Sequence, residues 1–200
     1  MKDRQPKHRQ AARERARLDR WAASRAGLPT ALIVCEGRCT EPYYLGGLLE
    51  HLGVNAANAH IQTGSYKTDA LSLVRDARAR FRSTPEYDHV FVVLDGDQAH
   101  LDEARREAGK GMAKAGGGRV TVELIVTSPC FEYWLLLHFE YTTRGLRSVE
   151  AVRALEAHLT DYEKGDREIF AKVSGGLAMA EANAAKGIRD IAATGAVSPR

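Results

Sequence analysis

The sequence predicts an α/β fold in which a mostly parallel sheet is flanked by helices. From residue 30 to residue 140, short apolar and partly β-branched runs alternate with segments of helical spacing, and only helical segments follow. The run at 89–95 is apolar on both faces, which is typical of a central strand in a parallel sheet. The order βαβαβαβα implies right-handed crossovers and strand carboxyl ends that meet at one edge of the sheet.

Each element has a local signal. Pro29 and Gly37 bound the first strand, and Thr40 can cap the helix that follows it. Strands are predicted at 30–35, 59–63, 89–95 and 120–126. Helices are predicted at 40–52, 69–81, 97–115, from 128 toward 140, and at 148–159, 166–174 and 176–194.

A basic segment opens the chain. Residues 1–26 carry nine Lys and Arg against three Asp and Glu, a charge of +6, and because the whole chain carries +3 the remainder carries −3. We expect a helix at 9–26, rich in Ala, Arg and Glu. Such an arm is typical of a tail that contacts phosphates, with Arg13 and Arg17 as candidate contacts. A solvated segment without a ligand is an equal alternative.

The chain is expected to form one α/β domain with extensions. The predicted parts are the basic arm at 1–28, the sheet-containing part at 29–140 and a C-terminal helical extension of the same domain at 141–200. No run of about 18 apolar residues could span a bilayer and no apolar signal core follows the N-terminus, so we expect a soluble cytoplasmic protein. Three cysteines are too few for a disulfide framework and lack partners for a zinc set.

Three acidic residues follow predicted strands. Glu36 comes directly after the first strand, and Asp95 and Asp97 close the third. Two aspartates spaced by two project to the same side of an extended chain, and the intervening Gly96 permits a sharp turn. Their oxygens suit Mg²⁺ or Mn²⁺ better than zinc. The alternatives are that Asp97 caps the next helix and that Glu36 is a solvated loop residue.

The stretch from Ser128 to residue 140 is the other distinctive feature. Its opening can aim free N–H groups at an anion, and Glu132 lies in the expected first turn. Glu132 is therefore a candidate fourth carboxylate, with a helix-capping role as the alternative. His138 is interpreted as a packed histidine with a minor functional option, and Cys130 as a buried small side chain.

These motifs resemble those of the RloB family over about residues 30 to 194. The segments that carry the resemblance are Leu32–Gly37 with Thr40–Tyr44, Val92–Asp97, Ser128–Phe139 and Asp161–Asp166. The first two also resemble the Toprim arrangement of topoisomerases, primases and OLD-type nucleases. The resemblance thus implies a Toprim-like sheet.

The resemblance also implies roles for individual residues. Glu36 would be the acid–base group, Asp95 and Asp97 would bind Mg²⁺, with Glu36 itself as a further candidate ligand, and Glu41 and Glu132 would be supporting carboxylates, Glu132 also as a metal ligand. Ser128 and His138 are further supporting candidates.

One position departs from the family pattern. Many members have a basic residue between the two aspartates, where this chain has Gly96. Arg38, Lys67 or the basic arm would then supply the charge that faces a phosphate.

The function expected from these features is a Mg²⁺-dependent nuclease. The resemblance implies a substrate that is tRNA or another RNA, otherwise DNA, and a place in prokaryotic anti-phage or abortive-infection defence beside an AAA or ABC-type ATPase. One alternative is a non-catalytic sensor or regulatory subunit of such an ATPase complex, since the chain has no P-loop. Another is a nucleic-acid binder that uses the arm. A homodimer through the C-terminal helices is a further expectation.

Overall fold

The computed structural model describes residues 29–64 and 69–193. The helix expected near the N-terminus and the candidate phosphate contacts Arg13, Arg17 and Lys67 lie outside these residues. None of the helices within the described ranges is long and apolar enough to cross a membrane.

Four parallel strands form the central sheet. They are β1 (Ala31–Cys35), β2 (Ala59–Thr63), β3 (His89–Asp95) and β6 (Val122–Thr127). Their order is β2-β1-β3-β6, and every neighbouring pair is parallel. The predicted parallel sheet is confirmed, with β3 inside it, and the arrangement is consistent with the Toprim-like sheet that the resemblance implies.

Helices cover both faces of the sheet. They are α1 (Thr40–His51), α2 (Ala70–Ser83), α3 (Leu101–Ala108), α4 (Phe131–Leu136), α5 (Ser148–His158), α6 (Ile169–Val173) and α7 (Leu177–Ala193). A short 3₁₀ turn, Ser174–Gly176, joins α6 to α7.

The predicted helix at 97–115 is wrong in extent. Only α3 is helical there, and the chain then forms a small antiparallel hairpin of β4 (Met112–Ala113) and β5 (Arg119–Val120). The run Gly116 to Gly118 turns the chain back with φ values of 83°, 101° and 89°, a region that favours glycine. The predicted strand at 120–126 therefore starts later, at the first residue of β6.

The helix predicted from 128 toward 140 is also shorter than expected. The helix is confined to α4. It starts only at Phe131, because the backbone of Cys130 is extended, with φ −150° and ψ 173°. Residues 137–139 continue as turns.

The hydrophobic core lies on both sides of the sheet because alternate strand residues point to opposite faces. On one face, Val34 and Val92 pack with α2 and α3, and on the other Cys35 and Val93 pack with α1, α4, α5 and α6. Helices that follow residue 140 thus share a core with one face of the sheet.

Candidate active site

Glu36 lies directly after β1, and its hydrogen bonds link the end of β1 to the end of β3. Its backbone N–H donates to the carbonyl oxygen of Val93 at 2.9 Å, so the backbone still follows the sheet. Its carboxylate accepts the backbone N–H of Asp95 at 3.0 Å through Oε2 and Gln98 Nε2 at 2.6 Å through Oε1. These contacts fix the carboxylate at the carboxyl edge of the sheet. Burial raises its pKa, and repulsion from neighbouring carboxylates raises it further.

Asp95 is the last residue of β3, and its carboxylate is half-buried. Thr127 Oγ1, in the adjacent β6, donates to Asp95 Oδ1 at 3.2 Å. Burial, followed by repulsion from Glu36 and Glu41, raises the pKa of Asp95 to about 7, against the smaller lowering effect of the Thr127 hydroxyl. Ionisation of Asp95 in this cleft therefore carries an electrostatic cost.

Glu41 enters the same space from the first turn of α1. It is buried, and its Oε1 accepts the backbone N–H of Gly37 at 3.1 Å. A Cβ atom at Gly37 would lie 1.9 Å from Glu41 Oε2, so only glycine leaves room for this carboxylate. Burial is the main cause of the raised pKa of Glu41, and repulsion from Glu132 adds to it.

Glu132, in the first turn of α4, is only 4% exposed. Tyr162 donates its hydroxyl to Glu132 Oε1 at 3.0 Å, and Lys164 Nζ lies 3.6 Å from the same oxygen. Burial acts to raise the pKa of Glu132, but the N–H of its own backbone, Lys164 and Tyr162 together outweigh it and lower the pKa. Glu132 is thus the carboxylate of this group that its surroundings keep ionised.

These side chains line one cleft of about 300 Å³. Its lining residues are Glu36, Gly37, Arg38, Cys39, Thr40, Glu41, Asp95, Phe131, Glu132 and Lys164. The structure therefore brings together the predicted residues Glu36, Glu41, Asp95 and Glu132, with the candidate phosphate contact Arg38 beside them.

A family model described as RloB-like protein matches residues 31–195. The chain belongs to the RloB-like family. This confirms the resemblance seen in the sequence motifs. No curated protein and no solved structure gave a significant match to the chain.

Asp97 lies at the rim of the cleft in this RloB-like chain. Its carboxylate is exposed, and its Oδ2 accepts the hydroxyl of Ser148 at 3.2 Å, at the start of α5. It is close enough to raise the pKa of Glu36. The alternative that Asp97 caps the following helix is wrong, because α3 begins only after His100.

Ser128 accounts for the glycine between the two aspartates. A Cβ atom at Gly96 would lie 2.8 Å from Ser128 Cβ and 3.1 Å from Ser128 Cα. The backbone N–H of Gly96 also donates to the carbonyl oxygen of Thr127 at 2.7 Å. A side chain at this position would therefore require Ser128 to shift.

His138 lies in the core, away from the cleft. Its Nδ1 donates to the carbonyl oxygen of Val173 at 2.8 Å, because a carbonyl can only accept. Burial lowers the pKa of His138, so the ring is neutral and its Nε2 accepts the hydroxyl of Tyr44 at 3.0 Å. The interpretation of His138 as a packed histidine is confirmed, as is that of Cys130, which is 3% exposed.

The carboxylate donors of the cleft suit a hard divalent cation chemically. Within residues 29–64 and 69–193, however, no three His, Cys, Asp or Glu side chains stand in a group that could hold one ion. The predicted binding of Mg²⁺ or Mn²⁺ by Glu36, Asp95, Asp97 and Glu132 therefore stays a prediction.

Two partners of Glu132 were missed in the sequence, and one of them, Lys164, lines the cleft. Tyr162 and Lys164 belong to the loop between α5 and α6 and reach Glu132 from about thirty residues further along the chain. The only signal was the resemblance of the 161–166 segment to the family, which indicated no role for either side chain.

Proposed function

We propose that this RloB-like protein is a metal-dependent nuclease whose catalytic cleft is the acidic one at the carboxyl edge of the sheet. The observation that carries the proposal is the convergence of Glu36, Glu41, Asp95 and Glu132 in one cleft. Burial and mutual repulsion raise the pKa of the first three. A cluster of carboxylates with this cost is typical of a functional site, and a divalent cation would offset the repulsion.

The carboxylates of the cleft and its rim would have two roles, metal binding and proton transfer. Asp95 and Asp97 would hold Mg²⁺ or Mn²⁺, with Glu36 and Glu132 as further ligands. When bound, the metal would polarise a phosphoryl oxygen. Glu36 is oriented by Gln98 and would move a proton, since burial raises the pKa of its carboxyl and thereby favours its taking up a proton.

Positive charge at the rim supports a phosphate substrate. Arg38 and Lys164 line the cleft, and Glu132 lies within ion-pair distance of the Lys164 ammonium. A phosphodiester backbone would find both cations beside the carboxylates. We propose RNA, with tRNA as the first substrate to test, otherwise DNA, and a partner ATPase in a defence role, from the family resemblance.

The second candidate is a cleft that binds without cleaving, in a regulatory subunit of an ATPase complex. The observation that favours it is the position of Asp97, whose carboxylate contacts Ser148 at the rim. In this case the acidic residues would govern binding of a ligand or partner, and substitution would change affinity alone.

A cleavage assay separates these candidates. End-labelled tRNA, unstructured RNA and DNA are incubated with Mg²⁺ or Mn²⁺ and wild-type protein, Glu36→Gln or Asp95→Asn. We expect about a hundredfold loss or more in both variants, because each removes a group that acts on the reacting phosphate. Asp102→Asn is the matched control, because that carboxylate is 82% exposed in α3.

Full cleavage by Asp95→Asn would contradict the nuclease proposal. Absence of cleavage by the wild-type protein, alone and with a co-purified ATPase, would favour the regulatory subunit.

A further inference from the structure

The loop at 161–166, between α5 and α6, contributes Lys164 to the lining of the cleft. Its contacts with the carboxylates come from Tyr162 and Lys164, which both reach Oε1 of Glu132. Glu132 is buried, so loss of these partners would leave a carboxylate in the protein interior with less compensation. The position of the loop and the charge of Glu132 are therefore linked.

The same loop also contacts the start of α1. The backbone N–H of Gly165 donates to Thr40 Oγ1 at 3.2 Å. Gly165 has a φ of 91°, and a Cβ atom there would lie 3.2 Å from Cys39 Cβ. The loop thus passes closely over two lining residues of the cleft, Cys39 and Thr40.

Lys172, in α6, joins the two ends of this loop. Its Nζ lies 2.8 Å from Asp166 Oδ2 and 2.5 Å from Asp161 Oδ2. The side chains of Lys172 and Asp166 are 26% and 18% exposed, so solvent screens this pair less than a surface pair. Lys172 is not among the residues that line the cleft, so it contacts the loop without taking part in the lining.

We infer that Lys172 is a positioning residue of the cleft, which holds the 161–166 loop closed and thereby maintains both of the loop's contacts with Glu132. One cation that binds both ends of a six-residue segment removes much of the entropy that the segment would gain on opening. The effect of Lys172 on cleavage rests on the proposed function, whereas its effect on the loop does not.

Hydrogen–deuterium exchange measures the closure of the loop directly. Full-length wild-type protein is compared with Lys172→Met, Lys172→Arg and Lys186→Met. Lys186 is the matched control, because it makes a similar ion pair with Asp190 at 2.7 Å in α7, away from the loop.

For Lys172→Met we expect exchange in peptides that span 161–166 to accelerate about tenfold, since a partly shielded ion pair with Asp166 and a more exposed one with Asp161 are both lost. Lys172→Arg restores slow exchange, and Lys186→Met leaves it unchanged. Asp161→Asn, which removes the more exposed carboxylate, gives a smaller acceleration. Loop exchange in Lys172→Met at the wild-type rate, or equal acceleration in Lys186→Met, would overturn the inference.

The cleavage assay adds the functional readout. We expect Lys172→Met to lower kcat about tenfold and Lys172→Arg to recover it, because the loop positions groups around the reacting phosphate. Faster loop exchange with unchanged kcat and KM would overturn the positioning role. If the wild-type protein cleaves nothing, the proposed function fails, while the exchange experiment still decides whether Lys172 closes the loop.

Discussion

Asp95 and Glu132 line the same cleft, yet their pKa values move in opposite directions. Burial and repulsion from three neighbouring carboxylates, Glu36, Glu41 and Glu132, raise the pKa of Asp95 to about 7, whereas Lys164 and Tyr162 help to lower that of Glu132. Opposed shifts of this kind separate the pKa values of the two groups: Glu132 stays charged, whereas negative charge on Asp95 is unfavourable without a nearby cation. This separation comes from contacts across the chain and is absent from any single motif.

Buried neutral His138 gives a prediction about stability against pH. Its pKa in the folded protein lies below the ordinary value of 6.5, so the unfolded chain binds more protons between these two values. Its contribution is therefore present above about pH 6.5 and is lost as the pH falls through the folded pKa. We expect the free energy of unfolding, from urea titrations between pH 5 and pH 8, to fall more steeply with acid in wild-type protein than in His138→Gln. Equal slopes would contradict this assignment.

The meeting of Glu36 and Asp95 in the cleft could be predicted from the sequence. Glu36 and Asp95 follow strands, and parallel strands end at one edge of the sheet. Lys164 could not be found in this way, because its loop follows a helix of the C-terminal part and its approach to Glu132 depends on how that helix packs. Asp97 was expected beside Asp95, but the turn after β3 takes its carboxylate to the rim.

At the level of elements, strands were easier to predict than helix ends. Each strand of the sheet is an apolar run with nearby breakers, and both signals are local. The end of α3 is set from elsewhere: Arg78, in α2, is buried and donates to the carbonyl oxygens of Glu107 and Lys110. A guanidinium from another helix that binds one carbonyl near the end of α3 and one just beyond it leaves no periodic trace in the sequence around them.

Two adjacent glycines in α1 give a prediction about packing between elements. A Cβ atom at Gly47 would lie 2.6 Å from Phe170 Cβ in α6, whereas one at Gly46 would meet no atom within 4 Å. We expect Gly47→Ala to destabilise the protein by about 1 to 3 kcal/mol through overpacking. Gly46→Ala should stabilise it by roughly 0.5 to 1 kcal/mol through helix propensity.

Chemical denaturation of the two variants measures both effects. Because the substitutions are identical and neighbouring, their difference reports the close approach of α1 and α6. Equal stability of Gly46→Ala and Gly47→Ala would contradict the described packing.

At the level of the whole molecule, the cleft depends on parts that are distant in the sequence. The sheet supplies Glu36 and Asp95, and the loop before α6 supplies Lys164. The helices that follow residue 140 pack on the same face of the sheet as α1 and α4. A substitution that shifts the C-terminal helices would therefore also alter the packing of the elements that carry the acidic residues.

The charge asymmetry of the chain gives a prediction about nucleic-acid binding. Residues 1–26 carry +6 and the remainder −3, so an acidic body would gain little from phosphates without the arm. We expect deletion of residues 1–26 to weaken RNA binding at low salt and to reduce the dependence of affinity on salt concentration, because fewer counterions are released. Fluorescence anisotropy over a salt series measures both. Unchanged affinity and slope would exclude the arm as a phosphate contact.

We propose that the carboxylates at the carboxyl edge of the sheet bind a divalent cation. Calorimetric titration of full-length protein with Mn²⁺, at pH 8 and without nucleic acid, tests it most directly. We predict saturable binding by the wild-type protein and by the exposed control Asp102→Asn, and an affinity lower by about tenfold or more in Asp95→Asn. Equal Mn²⁺ affinity in Asp95→Asn and wild-type protein, or no binding by the wild-type protein, would contradict metal binding by this cleft.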